Sequence, residues 1–249
     1  MTPSDPIRTL NIGPRRAKVL EELGIERVQD LLWFFPYRYE DRRHPVRIDE
    51  LGHHLDEPVL LRGEVRTCGA KVSPVKRMKI FEAMLEDGTG AVMLVWFNQP
   101  FLAEQIHRGD KLAVYGVPRL SPYRRLQIES PDWEPWNEED EGAIVPIYSK
   151  IPNIAPRALR QMIANACEAL PLLDDPLPPE LRAQLGVIDL APALHEIHRP
   201  QELTPEFLRQ RSPAHQRIIL QEFFTFQLAL RVRRASQEVK RKSRRIGVN

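Results

Sequence analysis

The sequence predicts an α+β fold, with a five-stranded β-barrel between a pair of N-terminal helices and a longer C-terminal helical segment. Three observations predict it. Between residues 59 and 130, five short apolar runs are separated by turn signals. Ahead of them, residues 10–34 carry helical periodicity punctuated by glycine and proline. From residue 156 onward, apolar residues recur three and four apart. The segments fall at 1–50 (helical), 51–133 (barrel), 134–156 (linker) and 157–249 (helical).

The first element is a helical hairpin. Gly13 permits a turn that other residues resist, and Pro14 suits the first position of a helix. Ala17, Leu20 and Leu23 share one face of that helix, Gly24 caps it, and a second helix runs over 28–34 to Pro36. The pattern resembles a helix-hairpin-helix, whose backbone N–H groups hold a nucleic-acid phosphate. Asn11 stands where such hairpins usually have glycine. Phosphate binding and plain packing both stay open for it. Pro36 to Arg42 is a polar-aromatic connector whose charges suit local salt bridges.

The barrel segment reads as strands over 59–67, 78–86, 91–97, 111–117 and 126–130. Asp87-Gly88-Thr89-Gly90 is a hairpin turn, and another turn sits around Ser121-Pro122. A short helix over 101–106 separates the third and fourth strands. Five strands with that insertion is the order of an OB-fold, which meets its ligands with the second and third strands and with the loops between strands one and two and strands four and five. The first of these loops carries Lys71, Lys76, Arg77 and Lys79; the other carries Arg119, Tyr123, Arg124 and Arg125. Cations with an aromatic at those places suit a single strand, whose backbone follows positive charge while its bases stack.

One stretch stands out. Residues 91–97 are a continuous apolar run that breaks at Asn98-Gln99-Pro100 and restarts as a helix. Phe97 and Phe101 bracket this corner, with Trp96, Asn98 and Gln99 forming the turn itself. A buried strand rarely needs a phenyl ring on each side of a polar turn, so the corner is the candidate working tip.

Pro131 to Pro156 is a connector that Trp133 and Trp136 pin to the barrel. Beyond it, Leu159, Met162, Ile163 and Ala166 share a helical face, and shorter helices follow at 178–185 and 190–197. His195 and His198 lack a carboxylate at suitable spacing for a metal site. A long helix from Pro213 carries Ile218, Ile219, Leu220, Phe223, Phe224, Phe226, Leu228 and Leu230. Its apolar residues reach around much of the circumference, which predicts burial between other elements. Its continuation over 231–245 is basic.

Composition narrows the class. The net charge of +2 over 249 residues singles out no polyanion, although an acidic run at 134–141 contrasts with the basic end. The acidic run forms no site. Cys68 and Cys167 lie far apart and make neither metal spacing nor a disulfide framework, which points to a reducing cytoplasm. No secretory signal is present, and no apolar run approaches the roughly 20 residues a membrane span needs. No Gly-x-x-x-x-Gly-Lys-Ser/Thr loop, nucleophile elbow or His-Glu-x-x-His motif occurs. The ending at Asn249 has no terminal character and reads as an interrupted sequence.

Three groups of residues, taken in order, resemble one family. The first is Ile12-Gly13-Pro14-Arg15-Arg16-Ala17, then Asp30-Leu31-Leu32 and Phe35-Pro36-Tyr37-Arg38-Tyr39-Glu40-Asp41-Arg42. The second is Trp96-Phe97-Asn98-Gln99-Pro100-Phe101-Leu102. The third is Val145-Pro146-Ile147-Tyr148, followed by Asp175-Pro176-Leu177-Pro178 and Ala193-Leu194-His195-Glu196-Ile197-His198. Over almost the whole chain they look like the amino-terminal wedge region of the RecG family. These are ATP-dependent DNA helicases that remodel stalled replication forks and Holliday junctions by branch migration, in repair and recombination.

The resemblance implies a monomeric, cytoplasmic, membrane-free fragment that binds branched and single-stranded DNA. It implies that Phe97 and Phe101 stack on the bases of parting arms. The family often has Tyr at the second position, and Phe keeps the stacking face. ATP and Mg would belong to motor lobes beyond Asn249, with no cofactor in this chain. A stand-alone single-stranded-DNA-binding OB protein and a protein-interaction module are the alternatives.

Overall fold

A computed structural model describes residues 1–72, 78–121, 123–136 and 143–243, with side chains as far as residue 237. The chain forms two units. One holds Met1–Tyr39 and Pro146–Asn249; the other holds Glu40–Val145.

In the helical unit, Gly13 sits at φ 80 and ψ 150, a conformation open to glycine, and Pro14 opens α1 (Pro14–Glu22). Asn11 adopts the left-handed conformation at φ 52. Ala17 and Leu20 are buried as the pattern requires. Leu23 is not: it is 56% exposed, because α1 stops at Glu22 and Gly24 (φ 80) turns the chain. In α2 (Val28–Leu32), the Asp30 carboxylate accepts from the backbone N–H of Arg27 at 2.8 Å and of Glu26 at 3.0 Å, capping the helix start.

The C-terminal part adds α3 (Pro156–Ala166), α4 (Pro179–Leu185), α5 (Leu190–His198), α6 (Pro205–Leu208) and α7 (Pro213–Ser243). Leu159, Met162, Ile163 and Ala166 of α3 enter one core with Leu20, Leu31, Leu32, Leu194 and Ile197. Asp175 is the polar hub of this unit. It accepts from the backbone N–H of Leu177 (3.0 Å) and Leu190 (2.9 Å) and from the fully buried guanidinium of Arg217 (2.6 Å). Burial pushes the Asp175 carboxyl up, but these donors outweigh it and hold it below its ordinary value.

The long helix departs from its expected burial. Ala214, Arg217, Ile218 and Gln221 are buried on the face that packs against α5. Ile219, Phe223, Phe226 and Leu228 are 48–64% exposed. Spacing of i, i+3, i+4 and i+7 selects one stripe, and only that stripe meets a neighbour among the described residues. The basic side chains from residue 238 onward lie outside the described residues.

His198 is a core residue. Its Nε2 faces the carbonyl of Leu32 at 2.9 Å, and a carbonyl only accepts, so Nε2 carries the proton. Its Nδ1 then accepts from the Tyr148 hydroxyl at 2.9 Å. Burial pushes the imidazole down from 6.5 to about 4. The unfolded chain therefore takes up this proton first. Stability from the neutral ring is complete above pH 6.5 and falls as the pH drops toward 4, by up to about 3 kcal/mol. Urea titrations of the helical unit between pH 7 and 4 should show this loss, and His198→Gln should flatten that part of the profile. An unchanged slope in the variant would assign the loss to other groups.

Strand β1 (Arg38–Asp41) pairs with the late strand Ile144–Ile147 in a separate two-stranded sheet. The barrel unit follows with β2 (Val59–Val72), β3 (Lys79–Glu86), β4 (Ala91–Phe97), β5 (Lys111–Gly116), β6 (Pro118–Leu120), β7 (Leu126–Glu129) and β8 (Asp132–Pro135). They form one curled sheet in the order β6-β7-β4-β3-β2-β5-β8. Strand β2 pairs with both β3 and β5, and β4 takes β7 in parallel.

The α+β class stands, with seven strands in this sheet rather than five. The expected fourth strand ends at Gly116, and Pro118 opens β6 beside β7. The added β8 pairs with the edge of β5. Between Val65 and Thr67 the register slips, and such a bulge bends a strand. At Gly63 a Cβ would meet the Glu86 carbonyl oxygen at 2.8 Å, so the curl closes on a position only glycine fills.

The barrel core is built from Phe81, Leu85, Leu94, Trp96, Leu112 and Ile128 among others. Trp133 packs against it, and the Arg62 guanidinium lies 4.8 Å from the centre of the Trp136 ring. Arg42 is fully buried and paired with Glu40 (2.8 Å) and Glu134. Glu134, the first residue of the acidic run, is therefore structural; residues 137–142 lie outside the described residues. Cys68 and Cys167 are both free thiols.

Candidate nucleic-acid interface

The corner at the end of β4 is built from inside outward. Strand residues alternate faces, so neighbouring aromatics diverge. Trp96 points inward, is 1% exposed, stands opposite Phe81, and donates its indole N–H to the Pro131 carbonyl at 2.9 Å. It serves as the base of the corner and offers no surface. Phe97 points to the other face, half-buried, opposite Ile80.

Asn98 then takes the left-handed conformation (φ 56), its N–H held by the Lys79 carbonyl at 2.7 Å. Asn tolerates this backbone better than most residues. Gln99 leads into a 3-10 turn over Pro100–Glu104, shorter than the helix expected over 101–106. Leu102 and Ile106 plug the core at 2% and 0% exposure. Anchoring on Leu102 turns the preceding ring, Phe101, outward, where it is 51% exposed. A strand of fixed register and two buried plugs thus hold two phenyl rings at one tip.

The basic residues divide between two ends of the sheet. Lys79 adjoins the corner through its carbonyl bond to Asn98. Lys71 pairs with Ile80 in register and makes an ion pair with Glu82 at 2.6 Å. Lys76 and Arg77 lie outside the described residues.

Arg119, Tyr123, Arg124 and Arg125 belong to the β6–β7 hairpin. Strand β7 runs parallel to β4 with Gln127 opposite Met93, so the hairpin lies toward the end of β4 away from Phe97. Arg119 reaches Asp56 at 3.3 Å, an exposed pair that contributes little. Among the described residues, Arg124 and Arg125 have no carboxylate partner. The Tyr123 ring is 87% exposed. The two clusters therefore do not converge on one point; they flank the outer face of β2, β3 and β4.

Sequence reasoning missed what lies between them. Ile80, Met84 and Met93 sit on that outer face, where the alternating pattern predicts polar residues. The signal was present, since β3 and β4 carry apolar residues on both faces.

Such a curled β-unit, with outward rings at one corner and cations at both flanks, belongs to the OB-like class of β-modules. The family model for the RecG wedge domain matches residues 7–170. This chain belongs to the RecG wedge domain family.

Similar relatives include the ATP-dependent DNA helicase RecG of Bacillus subtilis, 31% identical over 230 residues, covering 91% of this chain and 32% of the relative. That of Thermotoga maritima is 29% identical, covering 91% and 28%. A solved structure of RecG bound to a three-way DNA junction matches with a TM-score of 0.56 at 29% identity, over 94% of this chain and 32% of that one. The chain therefore spans about a third of the length of these relatives.

Proposed function

We propose that this chain is the strand-separating wedge of a longer fork-remodelling helicase: it binds branched DNA and splits the arms at the Phe97–Phe101 corner. The observation that carries the reading is the corner itself, two rings turned outward from a tip whose Trp96, Leu102 and Ile106 are buried. Parting a junction unstacks bases, and an aromatic face returns roughly 1–3 kcal/mol per base whatever the sequence. Lys71, Lys79, Arg119, Arg124 and Arg125 would follow the phosphates, and Lys76 and Arg77 would join them. This selects shape and charge, which suits forks and Holliday junctions of any sequence.

ATP and Mg would act in motor lobes outside this chain. The sequence of this chain has no phosphate-cradling glycine loop. A monomer in the cytoplasm is part of the same proposal. No helix among the described residues is long and apolar enough to cross a membrane.

Two measurements test the reading. Fork affinity should fall with salt along a log–log slope of roughly −3 to −4 if about four phosphates are neutralised. In competition, a three-way junction should displace plain single strand of equal length. Equal affinity for both would favour the stand-alone single-strand binder. The protein-interaction alternative draws on exposed Ile219, Phe223 and Phe226 of α7, and under it Phe97 would be core and DNA would not bind.

A further inference from the structure

We infer that the two-residue turn Ser130–Pro131, seated on Gly116, aims the stacking corner: it holds Trp96 by the indole, and Trp96 sets the end of the strand that carries Phe97. Pro131 and Gly116 are then positioning residues, which touch no DNA themselves. The inference rests on the wedge reading and names what fixes its tip. Three observations support it.

First, the turn is the seam of the curled sheet. Strand β7 ends at Glu129 beside β4, and β8 begins at Asp132 beside β5, with β3 and β2 between those two neighbours. In a flat sheet, five strand spacings would part β7 from β8 by about 24 Å. Three links of chain reach about 11 Å. Crossing in two residues therefore requires a curl that brings the end of β4 against the end of β5. Ser130 takes the left-handed conformation (φ 46) at this crossing.

Second, the seam closes on Gly116, the last residue of β5. A Cβ there would run into Cγ2 of Ile128 and would stand 3.1 Å from the Cβ of Pro131. Pro131 is buried, and Asp132 after it already pairs with Tyr115. A side chain at position 116 would force Ile128 and the turn to move.

Third, Trp96 depends on this turn. The ladder between β4 and β7 ends at Val95 opposite Glu129, and the Ser130 N–H reaches the Val95 carbonyl at 2.7 Å. One residue on, the Trp96 indole N–H meets the Pro131 carbonyl at 2.9 Å, while its ring packs 5.8 Å from that of Phe81. The indole has one donor, and leaving it unmet in the core is costly, so the ring follows the carbonyl. Phe97 comes next on the strand, and Asn98 beyond it is tied to the Lys79 carbonyl. The backbone between them has no slack, so a shift of the indole re-aims Phe97.

The test is a double-mutant cycle on the whole chain, read by anisotropy with a three-way junction well below each melting temperature. Phe97→Ala should weaken binding by about 5- to 150-fold, the range of one base–aromatic stack. Trp96→Phe keeps a ring against Phe81 but has no N–H, and should lose most of the same factor, as should Gly116→Ala. In the Phe97→Ala background neither should cost more than about twofold, because the ring they aim is gone. Their salt slopes should match wild type, since no phosphate contact changes. Leu112→Ala, a core truncation at the other end of β5, is the structural control: it should melt earlier and still bind like wild type. Losses that add to that of Phe97→Ala, wild-type affinity in either folded variant, or an equal loss in Leu112→Ala overturn the positioning role and leave the wedge intact. Should one variant not fold, the other decides. Wild-type affinity of Phe97→Ala overturns the wedge reading and the positioning role with it.

Discussion

Phe97→Ala/Phe101→Ala should bind a three-way junction about 2–6 kcal/mol more weakly than wild type, the sum of two base–aromatic stacks. Each single variant should lose roughly half. The two positions differ in what else they cost. Phe101 is 51% exposed, so its truncation removes little folding energy. Phe97 is half-buried against Ile80 and carries some packing. Thermal melts recorded beside anisotropy titrations separate the two effects. A double variant that stays folded and binds forks like wild type would remove the corner from the mechanism.

Asp175→Ala should destabilise the helical unit by about 3–5 kcal/mol, because it strands a buried guanidinium. Arg217 has no exposed side-chain surface, its Nη1 already bonds Gln221 at 3.0 Å, and Asp175 supplies its charge partner. The same carboxylate also caps the N–H groups of Leu177 and Leu190, so no water-facing rearrangement replaces it. Removing the cation as well, in Asp175→Ala/Arg217→Met, should recover part of the loss, since a buried ion pair is often replaced by apolar groups at little cost. Urea unfolding followed by far-ultraviolet circular dichroism reads both. A loss below about 1 kcal/mol in the single variant would mean the pair is not the hub described.

The corner was legible because its signal is local. An apolar run, an Asn-Gln-Pro break and a second ring four residues on lie within one turn of chain. Strand alternation then sends Trp96 inward and Phe97 outward with no need of distant residues. The five main strands were legible for the same reason, since each is a short run between turn residues.

The misreadings were all questions of what a surface touches. The apolar circumference of α7 looks buried from the sequence, yet among the described residues only the stripe through Arg217 and Gln221 has a neighbour, and Phe223 is 64% exposed. Lys71 keeps its place among the cations, and the structure adds an exposed ion pair with Glu82 that no local signal shows. Asp175 and Arg217, 42 residues apart, carry no sequence signal as a pair.

Periodicity, turn residues and the spacing of two phenylalanines are enough to determine the class of fold, the succession of the main strands along the chain and the position of the tip, because backbone sterics and side-chain alternation act between near neighbours. Only the tertiary structure decided that the basic loops stand at opposite ends of one face and that Tyr123 is bare. Those depend on which strands pair and in what register, and β7 lies parallel beside β4 only once the sheet has curled.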